Sequence, residues 1–249
     1  MGLVITADCD IVQQKAADSL TFVEIVSTPT YLERVWAPDQ LQRFVKKQAR
    51  VAVEGLAGVM RRSELLFQVN EDQLLEWLRT RPIEAIDKAV NRTGKPLDAK
   101  LAQNLAALRC ALRVELGRGA LDDWRALRST LGDSVERQRT DLAAAMSGGG
   151  FADFFPLPDL PGADGLGYVA LLRFIRTMRA DEVFASEVDA RVAGRPEALV
   201  RVGRLTDGIR FAVTQKLAFL FSRIGLPAHY EDACRSAAML SAEAIVPGA

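Results

Sequence analysis

The apolar and polar positions of this chain change period three times, and those changes predict its elements. Residues 3–12 and 20–27 read as strands. In the second, Phe22, Glu24 and Val26 alternate with Thr21, Val23 and Ile25, and β-branched residues are frequent, as in a half-buried pleated strand. The polar connection 13–19 makes an antiparallel hairpin the simplest reading. From residue 38 to 146 the period becomes helical. Leu41, Phe44, Val45, Ala49 and Ala52 share one face, and Leu74, Leu75, Trp77 and Leu78 mark another helix. Pro82 suits the first residue of a short helix through Val90, which Gly94 and Pro96 close off. Leu97, Leu101, Leu105, Leu108 and Leu112 form a stripe at spacings of three and four, and Leu121, Trp124, Leu127 and Leu131 continue it.

A glycine run at 148–150 breaks the helical pattern. Residues 151–167 are rich in Pro and Gly but keep Phe154, Phe155 and Leu157 as anchors. A structured loop that docks its aromatics is expected, because disordered segments are poor in them. Residues 167–178 are a continuous apolar run, which periodicity alone leaves as a strand or a buried helix. Residues 199–205 alternate as a strand does. The clearest helix is 206–224, with Thr206 or Asp207 to cap it, Gly225 for the left-handed position after it and Pro227 to stop it. Its apolar residues (Ile209, Phe211, Val213, Leu217, Phe219, Leu220, Phe221 and Ile224) cover nearly the whole circumference. Such a helix is buried or lies in an interface. Residues 230–245 read as one more amphipathic helix. The expected class is α+β and helix-rich: a small antiparallel sheet or barrel from strands near both chain ends, with a long helical insertion. The matching division is a discontinuous α/β domain (1–37 plus 151–249), a helical subdomain (38–146) and a Gly-rich connection (147–150).

Charge sharpens this picture by exclusion. Lys+Arg and Asp+Glu are both 32, so the net charge is +0. No global field draws the chain to nucleic acid or an anionic membrane, and a nucleic-acid site would need a local basic patch. Hydrophobic residues make up 49%, enough for a packed core. Cys9, Cys110 and Cys234 are far apart and odd in number, which argues against a disulfide framework or zinc ribbon and for a reducing cytoplasm. Asp8 and Asp10 interrupt the first apolar run, so a signal peptide is not expected there. No run approaches the roughly 18 apolar residues of a membrane span. The preference for Arg over Lys points to a GC-rich bacterial genome.

The most chemical motif is Asp8-Cys9-Asp10, two carboxylates flanking a thiol at the end of an apolar run. Over residues 4–12 this D-x-D-x-V pattern resembles the first motif of the haloacid-dehalogenase-like phosphotransferases. That resemblance implies that Asp8 attacks phosphorus, Asp10 acts as acid and base, and a bound Mg2+ neutralises charge. It also implies a doubly wound parallel sheet and later Ser/Thr, Lys and acidic motifs, which the helical block after residue 38 does not offer. Leu131-Gly132-Asp133 is the nearest acidic echo. A plain two-carboxylate site for Mg or Mn is the wider version of the same idea. Strand alternation offers a structural alternative, with Asp8 and Asp10 bonding a turn while Cys9 packs inward. As a nucleophile Cys9 is poorly placed, because flanking carboxylates oppose a thiolate. His229 is the sole imidazole, which leaves little for a Cys-His or Ser-His-Asp set or a structural zinc site. Gly162, Gly165 and Gly167 spell G-x-x-G-x-G, neither a dinucleotide nor a P-loop pattern.

Basic clusters recur in helical stretches (Lys46, Lys47, Arg50, Arg61 and Arg62; Arg109, Arg113, Arg118, Arg125 and Arg128), where interspersed acids suggest solvated faces. Around the last strand and helix, Arg201, Arg204 and Arg210 are the best candidates for phosphate or nucleic-acid contact. Arg173 and Arg176 lie in an apolar segment and would need partners if buried; Asp8 or Asp10 would serve. Two function classes follow. The favoured one is an intracellular bacterial interaction or regulatory protein, or a subunit of a larger complex, acting without its own catalysis or cofactor and binding a protein partner or itself. The other is a metal-dependent nuclease or phosphohydrolase built on Asp8 and Asp10, for which a ribonuclease-toxin-like barrel is one conceivable frame.

Overall fold

The computed structural model describes residues 1–5, 18–115, 117–146, 153–160, 163, 167–195 and 197–222. Strand β1 (Gly2–Val4) pairs antiparallel with β2 (Ser19–Ser27), Gly2 opposite Glu24 and Val4 opposite Phe22. Val23 and Ile25 of β2 are buried while their neighbours are half-buried, the alternation expected from sequence. Residues 6–17, including most of the first expected strand, lie outside the described residues.

The helical block opens where β2 ends. Ser27 Oγ accepts from Thr30 N at 3.4 Å and Pro29 sits in the first turn, both helix-start features. Helix α1 (Thr28–Tyr31), a π-helical turn (Leu32–Trp36) and α2 (Ala37–Arg62) then run on without a break. The π turn inserts one residue and shifts the register between the faces before and after it. Helix α2 ends in a Schellman arrangement: Leu65 N donates to Met60 O and Glu64 N to Arg61 O, with Glu64 at φ 58 in the left-handed position. Helices α3 (Glu71–Thr80), α4 (Ile83–Val90), α5 (Ala99–Ala111), α6 (Ala120–Thr130) and α7 (Val135–Met146) complete the block. Asn70 and Gln73 form a reciprocal capping box at α3, with bonds of 2.8 and 3.1 Å. Asp98 caps α5 by accepting from Lys100 N and Leu101 N.

After this block come β3 (Phe154–Leu157) and β4 (Tyr168–Arg179). The four strands form one antiparallel sheet in the order β1-β2-β4-β3. Strands from either side of the helical block are therefore neighbours, and the chain is α+β. This is not the doubly wound parallel sheet that the phosphotransferase resemblance implies. Parallel neighbours need a crossover between each pair of strands, and here α1 to α7 come in one block between β2 and β3 of the sheet. A parallel pair, β5 (Val183–Phe184) and β6 (Leu199–Val200), flanks α8 (Glu187–Val192), and α9 (Asp207–Ser222) is the last described helix.

The ambiguous run 167–178 is thus strand, and the expected loop 151–167 contains strand β3, in which Phe154 and Leu157 are buried. The strand expected at 199–205 has only two residues, because its partner β5 has two; Arg201 N adds one further bond to Phe184 O at 2.9 Å.

The chain divides into two compact units. One comprises Met1, Ile25–Gly149 and Pro156–Ala170; the other comprises Gly2–Glu24, Gly150–Phe155 and Leu171–Ala249. In the first, Leu56, Val59 and Met60 of α2 pack with Leu74 and Leu78 of α3, Ile86 and Val90 of α4, and Leu101, Leu105 and Leu108 of α5. Of these, Leu74, Leu78, Leu101, Leu105 and Leu108 belong to the apolar stripes seen in the sequence. At Gly55 of α2 an added Cβ would lie 2.8 Å from Leu101 Cδ1 on α5, and the leucine side chain would have to shift to admit it. A second cluster joins Ala37 and Leu41 to Ala107, Ala111, Trp124 and Leu127, and Trp36 meets Trp124 edge-on at 4.8 Å. Among the described residues no helix is long and apolar enough to cross a membrane.

Candidate functional site

Asp8, Cys9 and Asp10 lie outside the described residues, as do His229 and Cys234. Among the described residues no three His, Cys, Asp or Glu side chains gather as metal ligands do. The three candidate arginines are all described. Arg201 follows β6 with an exposed side chain whose Nε lies 3.5 Å from Gly203 O. Arg204 lies exposed in the connection to α9. Arg210 sits in the first turns of α9, 3.2 Å from Asp207 and 5.4 Å above the Phe211 ring. Its charge is therefore already met by a carboxylate and a π face.

Other arginines singled out in the sequence also have carboxylate partners. Arg173 and Arg176 are exposed on β4, and they pair with Asp153 at 2.8 Å and Glu24 at 3.5 Å; burial of these two charges is ruled out. Arg113 and Arg118, read as members of a solvated face, converge on Asp123, which is 2% exposed, at 3.2 and 3.6 Å. Arg128 bridges Asp133 and Asp141 and lies 5.8 Å over the Trp124 ring. Asp133, the acidic echo of the sequence, thus serves this ion pair. Glu33 reaches from the π turn to the start of α6, accepting from Ala120 N at 2.5 Å and Leu121 N at 3.0 Å. It caps that helix in trans and complements its dipole. These groups hold the helical block together.

Two surfaces are candidates for binding. The first is a groove of 460 Å³ in the first unit, between α2 and α5. Phe44, Val51, Leu101 and Leu131 give it an apolar lining, and Gln48, Asp98, Gln103 and Asn104 add polar groups. Asp98 is engaged as the α5 cap and the Gln103 amide donates to Thr130 O at 2.9 Å. Sequence reasoning missed this groove. Its one visible signal is Val51, an apolar residue off the stripe formed by Leu41, Phe44, Val45, Ala49 and Ala52.

The second surface is helix α9 in the other unit. Val213 and Leu217 are buried. On the same side Lys216 lies 5.8 and 5.9 Å from the rings of Phe154 and Phe155 on β3. Burial holds its amine below the ordinary lysine range. At 100° per residue, Phe211, Ala212, Gln215, Ala218 and Phe219 fall on the opposite face. All five are exposed, Phe211 at 65% and Phe219 at 52%. The all-round apolar pattern therefore resolves into one buried face and one open face.

Comparison with known protein families, curated proteins and solved structures finds no match for the chain.

Proposed function

We propose that this chain is an interaction protein, a regulator or a subunit that works by association and carries no reaction of its own. One observation supports this reading above the others: α9 is apolar on both faces, and the outer face exposes two phenylalanines eight residues apart. Large apolar side chains grouped on a surface are typical of sites that bind other macromolecules, and aromatics dominate the energetics of such sites. Balanced charge fits the same reading, because no single-sign field favours a polyanion. Sparse cysteines and an Arg-rich composition favour a bacterial cytoplasm as the setting.

The test is in-cell cross-linking of the wild-type and Phe211→Ser proteins, with thermal unfolding of each as the fold control. The reading expects cross-linked species in the wild type that the variant loses while keeping its unfolding midpoint. An identical cross-linking pattern for the two proteins would refute it.

A further inference from the structure

We infer that the partner of the α9 outer face is a second copy of this chain, docked antiparallel about a two-fold axis at Gln215. This inference rests on the interaction reading above and names its partner. Residues 211–219 read Phe-Ala-Val-Thr-Gln-Lys-Leu-Ala-Phe, nearly the same in both directions. Burial follows the same symmetry at three of the four pairs: 211 and 219 are exposed, 212 and 218 exposed, 213 and 217 buried, while Thr214 is exposed and Lys216 half-buried.

In an isologous contact, residue i meets residue j and j meets i. With the axis at Gln215, position 211 of one helix lies level with position 219 of the other. Phe211 and Ala218 sit on one side of the helix seam, and Phe219 and Ala212 on the other. The two-fold keeps each side on its own side. Phe211 therefore faces Ala218 of the second copy, and Phe219 faces Ala212 of the second copy. Large meets small at all four places, which is the interdigitation that close helix packing requires. Phe219 makes a contact within its own chain, and the 52% of its surface still open is what the second copy covers.

Charge permits the pairing. Like charges opposed across a two-fold would repel, but Lys216 is the sole ionisable residue between 211 and 221 and it is turned toward Phe154 and Phe155. Asp207 and Arg210 pair with each other at 3.2 Å. Area sets the strength. A phenylalanine side chain offers about 200 Å², so the open parts of this face bury roughly 350 Å² per copy. The total is below the ~1,000 Å² of a stable interface, and the dimer is a weak, reversible one.

The test is sedimentation velocity of the full chain from low to high micromolar concentration. It is paired with Gln215→Cys treated with a short bismaleimide, the linked peptides being identified by mass spectrometry. The expected result is a mass that rises with concentration from 27.2 kDa toward twice that value, a 215–215 link, and an association at least tenfold weaker in Phe211→Ser. A single 27.2 kDa species throughout with no 215–215 link overturns the second copy. In that event an unchanged unfolding midpoint for dilute Phe211→Ser leaves the interaction reading standing with a different partner. A lowered midpoint shows that the chain itself covers this face, and both readings fall. A dimer unaffected by Phe211→Ser and lacking the 215–215 link is built elsewhere and also overturns the proposal.

Discussion

A double-mutant cycle at Glu33 and Gly119 would isolate the helix cap made across the bundle. The Glu33 carboxylate accepts two orphan N–H groups at the start of α6, from Ala120 at 2.5 Å and Leu121 at 3.0 Å. Glu33→Ala removes both bonds and the charge at the helix N-terminus, and the expected loss is about 2 kcal/mol. Gly119 packs directly against that carboxylate: an added Cβ would lie 2.8 and 2.9 Å from its two oxygens. Gly119→Ala alone must push the carboxylate off the helix end, at a cost of about 1–2 kcal/mol. In the Glu33→Ala background the obstacle is gone. Gly119 has φ −74 and ψ 159, which alanine adopts freely, so there the same substitution becomes neutral or stabilises by up to ~1 kcal/mol through the unfolded chain. The coupling is then about 1–3 kcal/mol. Urea unfolding reads it, followed by circular dichroism and by the fluorescence of Trp124 on α6 and Trp36 in the π turn. If the two substitutions add to within ~0.5 kcal/mol, the cap does not stabilise α6 as described.

The capping box at α3 makes Asn70→Ala cost about 1 kcal/mol, measured by the same urea titration, whereas Asn70→Asp retains most of the stability. Burial pushes the Cys110 thiol above its ordinary range, so the folded state holds this proton more tightly than the unfolded one. That contribution is whole below the unfolded value near 9.0 and declines as pH rises through the folded value. Unfolding midpoints across the alkaline range should therefore fall less steeply for Cys110→Ala than for the wild type. Magnesium, manganese or a chelator should leave the wild-type midpoint unchanged. A metal-dependent rise that disappears in the Asp8→Asn, Asp10→Asn double variant would move the account to phosphate chemistry.

The architecture was legible in the chain wherever one period held long enough. Alternation in residues 20–27 and the leucine stripe from 97 to 112 each report a single buried face, and both appear as read. Strand β3 was hidden because Pro156 sits within it and it spans four residues, too few for alternation to register. Strands β5 and β6 have two residues each and exist through each other. The pairing of Asp123 with Arg113 and Arg118 depends on a turn that brings separate segments together, and spacing alone does not report it. For α9, an apolar circumference allows burial or an interface equally. Which face was open became visible once Val213 and Leu217 were seen inward and Phe211 outward. The groove between α2 and α5 is a property of two helices at once, and neither helix encodes it alone.

The proposed function requires that the outer face of α9 serve association and not the fold of the single chain. Thermal unfolding of Phe211→Ser against the wild type at low micromolar concentration tests it most directly. A surface position changes stability by about 0.5 kcal/mol or less, which for a chain of this size moves the midpoint by about 2 °C at most. A Phe211 that lies on an association face gives a shift within that range. A phenylalanine that filled a core would cost about 3–5 kcal/mol, so a fall of roughly 6 °C or more would place Phe211 inside the folded chain and overturn an association role for this face.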